Sequence, residues 1–216
     1  MNRSLRISKG SSKAQLRKAE KKPNNRIQPT RSASLRARLM RPVGPQSISA
    51  YRGRNQNACP MTAIITPERP DPTDARALIA ELEAQLDPFY PRESRHGYSV
   101  EKLLAEAVTF FVIRQNATPA GCGGLKLFGT AYGEVKRMYV RPQFRGLGLA
   151  KLMLNHLVDY AQGQGLGLLR LETGIHQRAA IGLYEQMGFQ RIPPFGEYQT
   201  DPLSRFYEKQ ISLKLT

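Results

Sequence analysis

The residues best suited to chemistry in this chain form a glycine-rich turn, Gln143-Phe-Arg-Gly-Leu-Gly-Leu-Ala150. The opening turn of a helix leaves its leading N–H groups without intrahelical partners, and the helix dipole adds about half a positive charge there. Glycines at 146 and 148 let a bulky anion reach the backbone with no Cβ in the way, and Arg145 adds a full positive charge beside it. The turn therefore reads as a phosphate site. Before it, Glu134 to Val140 alternates and carries β-branched and aromatic residues, which predicts a strand whose backbone could hold an extended ligand. Arg141-Pro142 ends that strand, because proline has no N–H for the ladder. After it, Leu149, Leu152, Met153, His156 and Leu157 recur at helical spacing and predict the apolar face of a helix.

Other phosphate-binding turns fit less well. A dinucleotide fingerprint needs a third glycine where this chain has Lys151, and no Gly-Lys-Ser/Thr run follows a glycine at P-loop spacing. An ordinary tight strand-to-helix turn is the bland alternative.

The pattern Gln143-x-x-Gly146-x-Gly148 followed by Ala150 resembles the Q/R-x-x-G-x-G/A signature of the GNAT superfamily of acyl-CoA N-acyltransferases. Downstream, Leu183-Tyr-Glu-Gln-Met-Gly-Phe189 resembles that family's A-x-x-LYEK-x-GF segment. It falls on a short helix predicted over Ala179 to Met187 and stopped by Gly188. The resemblance implies acetyl-CoA as co-substrate, with the pyrophosphate on the backbone amides of the turn. The expected cofactor contacts are Met138, Tyr139 and Val140 on the strand, Gln143, Arg145, Gly146, Leu147, Gly148, Leu149 and Ala150 on the turn, and Tyr184. Where the family often has an asparagine against the pantetheine arm, this chain has His176-Gln177, and Gln177 joins the expected set.

A thioester is attacked by a neutral amine, whereas an alkyl ammonium has a pKa of about 10.4, so a proton must be removed. Another must reach the leaving thiolate. Backbone N–H groups of the central strand could polarise the thioester carbonyl. Glu134 matches the position of a catalytic glutamate in some family members and is the expected base. The competing readings are a solvated strand-start carboxylate paired with Lys136, and proton removal through water. Tyr184 is the expected acid, against a core tyrosine with a buried hydroxyl. For the acceptor, Arg92, Arg95 and His96 in the loop Tyr90 to His96 could hold a carboxylate or phosphate. They could equally be solvent-facing loop residues. Glu93 and Glu197 leave a cationic amine open, so amino acid, polyamine and aminoglycoside-like acceptors all stand.

The first 60 residues hold 15 Lys+Arg and one acid, and residues 61–216 hold 18 and 16, so nearly all of the net charge of +16 lies in the first segment. That segment lacks apolar periodicity, and disorder is its default. It could bind nucleic acid, act as a transit peptide, or lie upstream of a native start at Met61; the last is the expectation. Nucleic acid is a partner only if the tail is native. No apolar run approaches the roughly 18 residues that span a bilayer, so no membrane is expected. Cys59 and Cys122 make no disulfide framework, which points to a cytoplasmic setting, and the scattered His96, His156 and His176 give no metal site. Cys122 reads as packing rather than nucleophile.

Residues 61–216 have the length of one domain. Strands are predicted over Thr62–Thr66, Val108–Arg114, Ala120–Leu127, Glu134–Val140, Leu166–Leu171 and Phe206–Leu213. Helices are predicted over Asp74–Leu86, with Ala75, Leu78, Ile79, Leu82 and Leu86 on one apolar face and caps from Asp71 to Asp74, and over Val100–Ala107. The order β-α-α-β-β-β-α-β-α-β-β is the one the resemblance implies. It is an α/β fold, a mixed, mostly antiparallel sheet with helices on both faces. Two other functions remain open: a nucleic-acid-associated protein working through the basic tail, and an inactive acetyl-CoA-binding sensor. A homodimer is common among such proteins, though nothing in this chain specifies one.

Overall fold

The computed structural model describes residues 49–50, 62–91, 94 and 97–212. All belong to one compact unit, Pro45–Thr216. The expected start at Met61 and the rest of the basic segment lie outside the described residues, except that Ser49–Ala50 (β1) pairs antiparallel with Ala63 and Thr62.

The strands are β2 (Thr62–Glu68), β3 (Thr109–Gln115), β4 (Thr118–Phe128), β5 (Tyr132–Val140), β6 (Leu168–Gly174), β7 (Gln190–Ile192) and β8 (Ser204–Gln210). The helices are α1 (Thr73–Leu86), α2 (Val100–Ala105), α3 (Leu149–Gly163) and α4 (Arg178–Gln186). From β2 onward the element order is the expected one, with ends shifted by a few residues; β1 is an addition, since no strand is expected in the first 60 residues. The sheet runs β1-β2-β3-β4-β5-β6-β8-β7. Every pairing is antiparallel except β5 with β6.

Helix α1 buries Ala75, Leu78, Ile79 and Leu82 of the predicted stripe and half-buries its last member, Leu86. Its cap differs from expectation. Pro72 stands at the N-cap with no side-chain hydrogen bond. Asp71 is instead engaged by Arg69 at 2.9 Å, and Asp74 by Arg114 at 2.9 Å. Ion pairs within reach have taken both carboxylates from the capping role. Helix α2 starts on Ser99, whose hydroxyl accepts from the Lys102 N–H at 3.2 Å. It stops two residues early because Ala107 turns to φ +51° and Val108 N–H bonds back to the Leu103 carbonyl. Helix α3 buries Leu149, Met153, Leu154, Leu157 and Ala161. Leu152 and His156 sit at the edge of that face, with His156 edge-on to Phe111 at 4.6 Å between ring centroids.

Two apolar layers sandwich the sheet. One joins Phe111, Ile113, Leu125, Val135, Leu169 and Leu171 to α3 and Tyr184 of α4. The other joins Phe110, Val112, Cys122 and Tyr139 to α1, Tyr98 and α2. A bulge in β5 changes which residues face which layer. Cys122 pairs with Tyr139 but Gly124 with Lys136, so an extra residue is fitted in between, and Arg137 takes φ +55°. Before the bulge Val135 faces the α3 layer; after it Met138 and Val140 do, and Tyr139 faces α1. Among the described residues, no helix is long and apolar enough to cross a membrane.

Candidate active site

Strands β5 and β6 pair only at Gly133–Leu169, Glu134–Arg170 and Val135–Leu171. Beyond Val135 they part, and a cleft opens. Lys136, Arg137 and Met138 line its β5 wall, and Glu172, Thr173 and Gly174 its β6 wall. Leu82, Glu83 and Leu86 of α1, with Tyr90 and Tyr98, close one side, while Gln177, Ala180 and Tyr184 of α4 close the other. On its β6 side the end of β5 has no strand partner, so its backbone groups are available to an extended ligand, as the sequence suggests.

The β5 wall leads straight into the glycine turn. Pro142–Phe144 forms a single 3₁₀ turn, and α3 begins at Leu149. Gly146 and Gly148 both take φ +78°, which bends the chain so that successive N–H groups converge. The first backbone bond of the helix is Leu152 N–H to the Gly148 carbonyl, and the N–H groups from Gly146 to Lys151 have no acceptor among the described residues. A Cβ on Gly146 would meet no neighbouring atom within 4 Å, so the space over the turn is open to a ligand. This is the arrangement a pyrophosphate needs, and the residues fit CoA on that ground. Gly146→Val forces a β-branched residue into the left-handed region over the same space. It is expected to weaken acetyl-CoA binding by roughly 10- to 100-fold, read by calorimetry.

Leu149 is buried in the core and can offer only backbone to a cofactor, while Leu147 is half-buried against it. Gln143 lies exposed before the 3₁₀ turn ends, and Ala150 is half-buried in the first helical turn. Arg145 is exposed; its Nε donates to the Val140 carbonyl at 3.1 Å and its Nη2 to Gln85 Oε1 at 2.6 Å. Gln85 Nε2 in turn donates to Gln177 Oε1 at 3.3 Å. Gln85, absent from the sequence-based set, thus links two expected cofactor contacts. No sequence signal marks it, since it lies off the apolar stripe of α1. Tyr139 was expected among the cofactor contacts, but the bulge turns its side chain under α1, where its hydroxyl donates to Glu81 Oε2 at 3.3 Å. Only its backbone faces the ligand route.

Glu134 is neither solvated nor on the cleft surface. It is 2% exposed, and its Oε1 accepts from Lys136 Nζ and from the Tyr198 hydroxyl, each at 2.6 Å. Lys136 also donates to Tyr198 Oη at 2.6 Å, closing a triangle. Burial pushes the Lys136 ammonium down from its ordinary value, while Glu134 opposes that shift. Burial, reinforced by Glu134, pushes the Tyr198 phenol far up.

Tyr184 lies on the cleft wall, 5% exposed, with its ring against Phe189. Burial, and secondarily the charge of Glu172, raises its phenol well above the ordinary value, so it stays protonated. Glu172 is the carboxylate that sequence reasoning passed over. It follows Leu171, which faces α3, so strand alternation turns it to the α1 side, as with Lys136. Ser204 Oγ donates to its Oε1 at 2.7 Å, and its charge bears on Tyr184, Tyr90, Lys136 and Tyr198.

Arg92, Arg95 and His96 lie outside the described residues; their neighbours Ser94 and Gly97 line the cleft. Tyr90 is fixed beside the end of β6, where the His176 N–H donates to its hydroxyl at 2.8 Å. A Cβ on Gly174 would stand 2.1 Å from that hydroxyl. Gly174→Ala is therefore expected to expel Tyr90 from the cleft wall, raising KM for the acceptor by roughly tenfold or more. Steady-state kinetics with each substrate varied in turn would read this, with KM for acetyl-CoA as the internal comparison. Cys122 is fully buried, and burial pushes its thiol up to about 12, as suits packing. Among the described residues no group of His, Cys, Asp or Glu is arranged to hold a metal ion.

A family model for the GNAT acetyltransferases matches residues 76–189. An IAA acetyltransferase of Azospirillum brasilense is 42% identical over 135 residues, covering 62% of this chain and 88% of that protein. The uncharacterized N-acetyltransferase YsnE of Bacillus subtilis is 38% identical over 137 residues, 62% of this chain and 91% of that protein. Among solved structures, a Klebsiella pneumoniae protein assigned to the acyl-CoA N-acyltransferases superposes with a TM-score of 0.60 at 36% identity, over 69% of this chain and 98% of that one. An Elizabethkingia anophelis GNAT acetyltransferase holding acetyl-CoA shares the fold, with a TM-score of 0.53 at 16% identity over 69% of this chain and 98% of that one. With an open strand edge running into a cradle of free N–H groups, the chain belongs to the GNAT acetyltransferase family and is an acetyl-CoA-dependent N-acetyltransferase.

Proposed function

We propose that the protein moves an acetyl group from acetyl-CoA to the primary amine of a small molecule by direct attack in the cleft between β5 and β6. The observation that carries this is the placement of Glu172 and a protonated Tyr184 on the same cleft, where the open edge of β5 leads to the glycine turn. The thioester comes from the side of Gln177 and Tyr184, the amine from the side of Tyr90 and Tyr98. Glu172 takes one proton from the ammonium to leave the neutral amine, and the second proton, shed by the nitrogen once the C–N bond has formed, restores the Tyr184 phenol after it has protonated the sulfur. The amine nitrogen bonds to the thioester carbon, and an N–H on the open side of β5 stabilises the oxygen as it gains charge. The carbon–sulfur bond breaks, and Tyr184 gives its proton to the leaving sulfur. The base role thus passes from Glu134 to Glu172 in this reading, and Glu134 keeps Lys136 in place. A cytoplasmic setting suits the free, buried thiol of Cys122.

The test is acetyl-CoA titration of the full chain by calorimetry, then thiol release with pooled amines. Binding with amine-dependent release supports the reading. Binding without release points to a sensor, and no binding removes the role given to the turn.

A further inference from the structure

We infer that the acceptor is an amine that also carries a carboxylate, and that Lys136 holds that carboxylate. The inference rests on the N-acetyl transfer reading above. Lys136 stands on the cleft wall and is 8% exposed. An ammonium has three N–H donors. Two go to Glu134 Oε1 and Tyr198 Oη, and the third has no acceptor among the described residues. Nζ lies 4.5 Å from the centroid of the Tyr98 ring, itself part of the cleft lining. The neighbouring cation does not compete for a ligand. The Arg137 guanidinium is engaged by Glu83 and by the Tyr98 carbonyl, the latter at 2.7 Å from Nε.

Burying an ion pair is costly compared with packing apolar side chains in the same volume. Glu134, 2% exposed, sits behind Lys136 and does nothing in the cleft but keep its neighbour charged. That arrangement makes sense where the ammonium meets a ligand oxygen. The opposite wall has the opposite sign, because Glu172 faces the same side of the sheet and its charge bears on Lys136. A short molecule with an ammonium at one end and a carboxylate at the other would lie across the gap. Its amine would meet Glu172 and Tyr184, and its carboxylate Lys136. Leu82 and Leu86 offer an apolar surface to whatever side chain it carries. A polyamine or an aminoglycoside would instead bring a second cation against Lys136.

The experiment is thiol release by the full chain with matched acceptors: α-amino acids, the same compounds as carboxamides, and diamines. Amino acids should exceed their carboxamides in kcat/KM by roughly 10- to 100-fold, the worth of a charge-assisted hydrogen bond. Lys136→Gln should remove that preference, chiefly through KM for the acid, with calorimetric CoA binding confirming that the variant folds. If it does not fold, the wild-type panel decides alone. Equal use of acids and carboxamides, or a preference for diamines, overturns the carboxylate assignment and leaves N-acetyl transfer intact. A preference that survives Lys136→Gln overturns the role of Lys136. No turnover with any amine despite CoA binding overturns this inference and the transfer reading together.

Discussion

The Glu172→Gln variant is expected to lose about 10²- to 10⁴-fold in kcat/KM, the usual worth of a general base. Glutamine keeps the shape and can still accept from Ser204 Oγ, so the loss reports the missing proton acceptor rather than a collapsed wall. The control is Glu134→Gln. Glu134 is sealed behind Lys136 and Tyr198, so its replacement should act first on stability. Leaving a buried ammonium without its carboxylate costs on the order of 3 kcal/mol, visible as a lower urea midpoint. The pair of variants separates the base expected from the sequence, Glu134, from the one the cleft favours, Glu172. Should Glu134→Gln abolish turnover at unchanged stability while Glu172→Gln stays active, the base is Glu134.

Tyr184→Phe comes next in size. It removes the proton that the leaving sulfur needs and changes little else, since no protein group among the described residues bonds the hydroxyl. The expected result is a fall in kcat of about 10²-fold, with the calorimetric affinity for CoA unchanged. The pH dependence follows from the direction of the phenol's shift. Burial raises it above its ordinary 10.0, so the acid form persists throughout the neutral and mildly alkaline range. Wild-type kcat should therefore show no alkaline fall below pH 10 from this group. A descending limb at lower pH that disappears in Tyr184→Phe would mean that the phenol is not held up by burial. Unchanged turnover would remove it from the mechanism.

The parts of the molecule governed by local rules were legible in the sequence. The stripe on α1, the strand-to-helix turn at Gly146 and Gly148 and the stop at Gly188 each follow from a few adjacent residues. What the sequence did not disclose depends on distant partners. Asp71 and Asp74 look like caps until Arg69 and Arg114 claim them. Glu134 looks like an exposed strand-start acid until Tyr198, 64 residues later, folds over it. Glu172 looks unremarkable because its importance lies in where β5 and β6 separate, which no window along the chain contains. The bulge is similarly hidden. Arginine has no preference for positive φ, and Arg137 adopts it because Glu83 and Tyr98 secure its side chain.

That bulge imposes a counting rule on the strand. Up to Val135 odd-numbered residues point toward α3; from Met138 onward even-numbered ones do. The strand therefore changes parity once, between the triangle at Glu134 and the residues that run into the glycine turn. Arg137 is the residue that makes the change: without it Lys136 and Met138 would follow one another in plain alternation, Tyr139 still toward α1 and Met138 and Val140 still toward α3. Removing that one residue would leave its neighbours on their present faces and cost the ties of its side chain to Glu83 and Tyr98. Adding or removing a residue between Met138 and Val140 would instead turn all that follows to the opposite face, and the glycine turn with it.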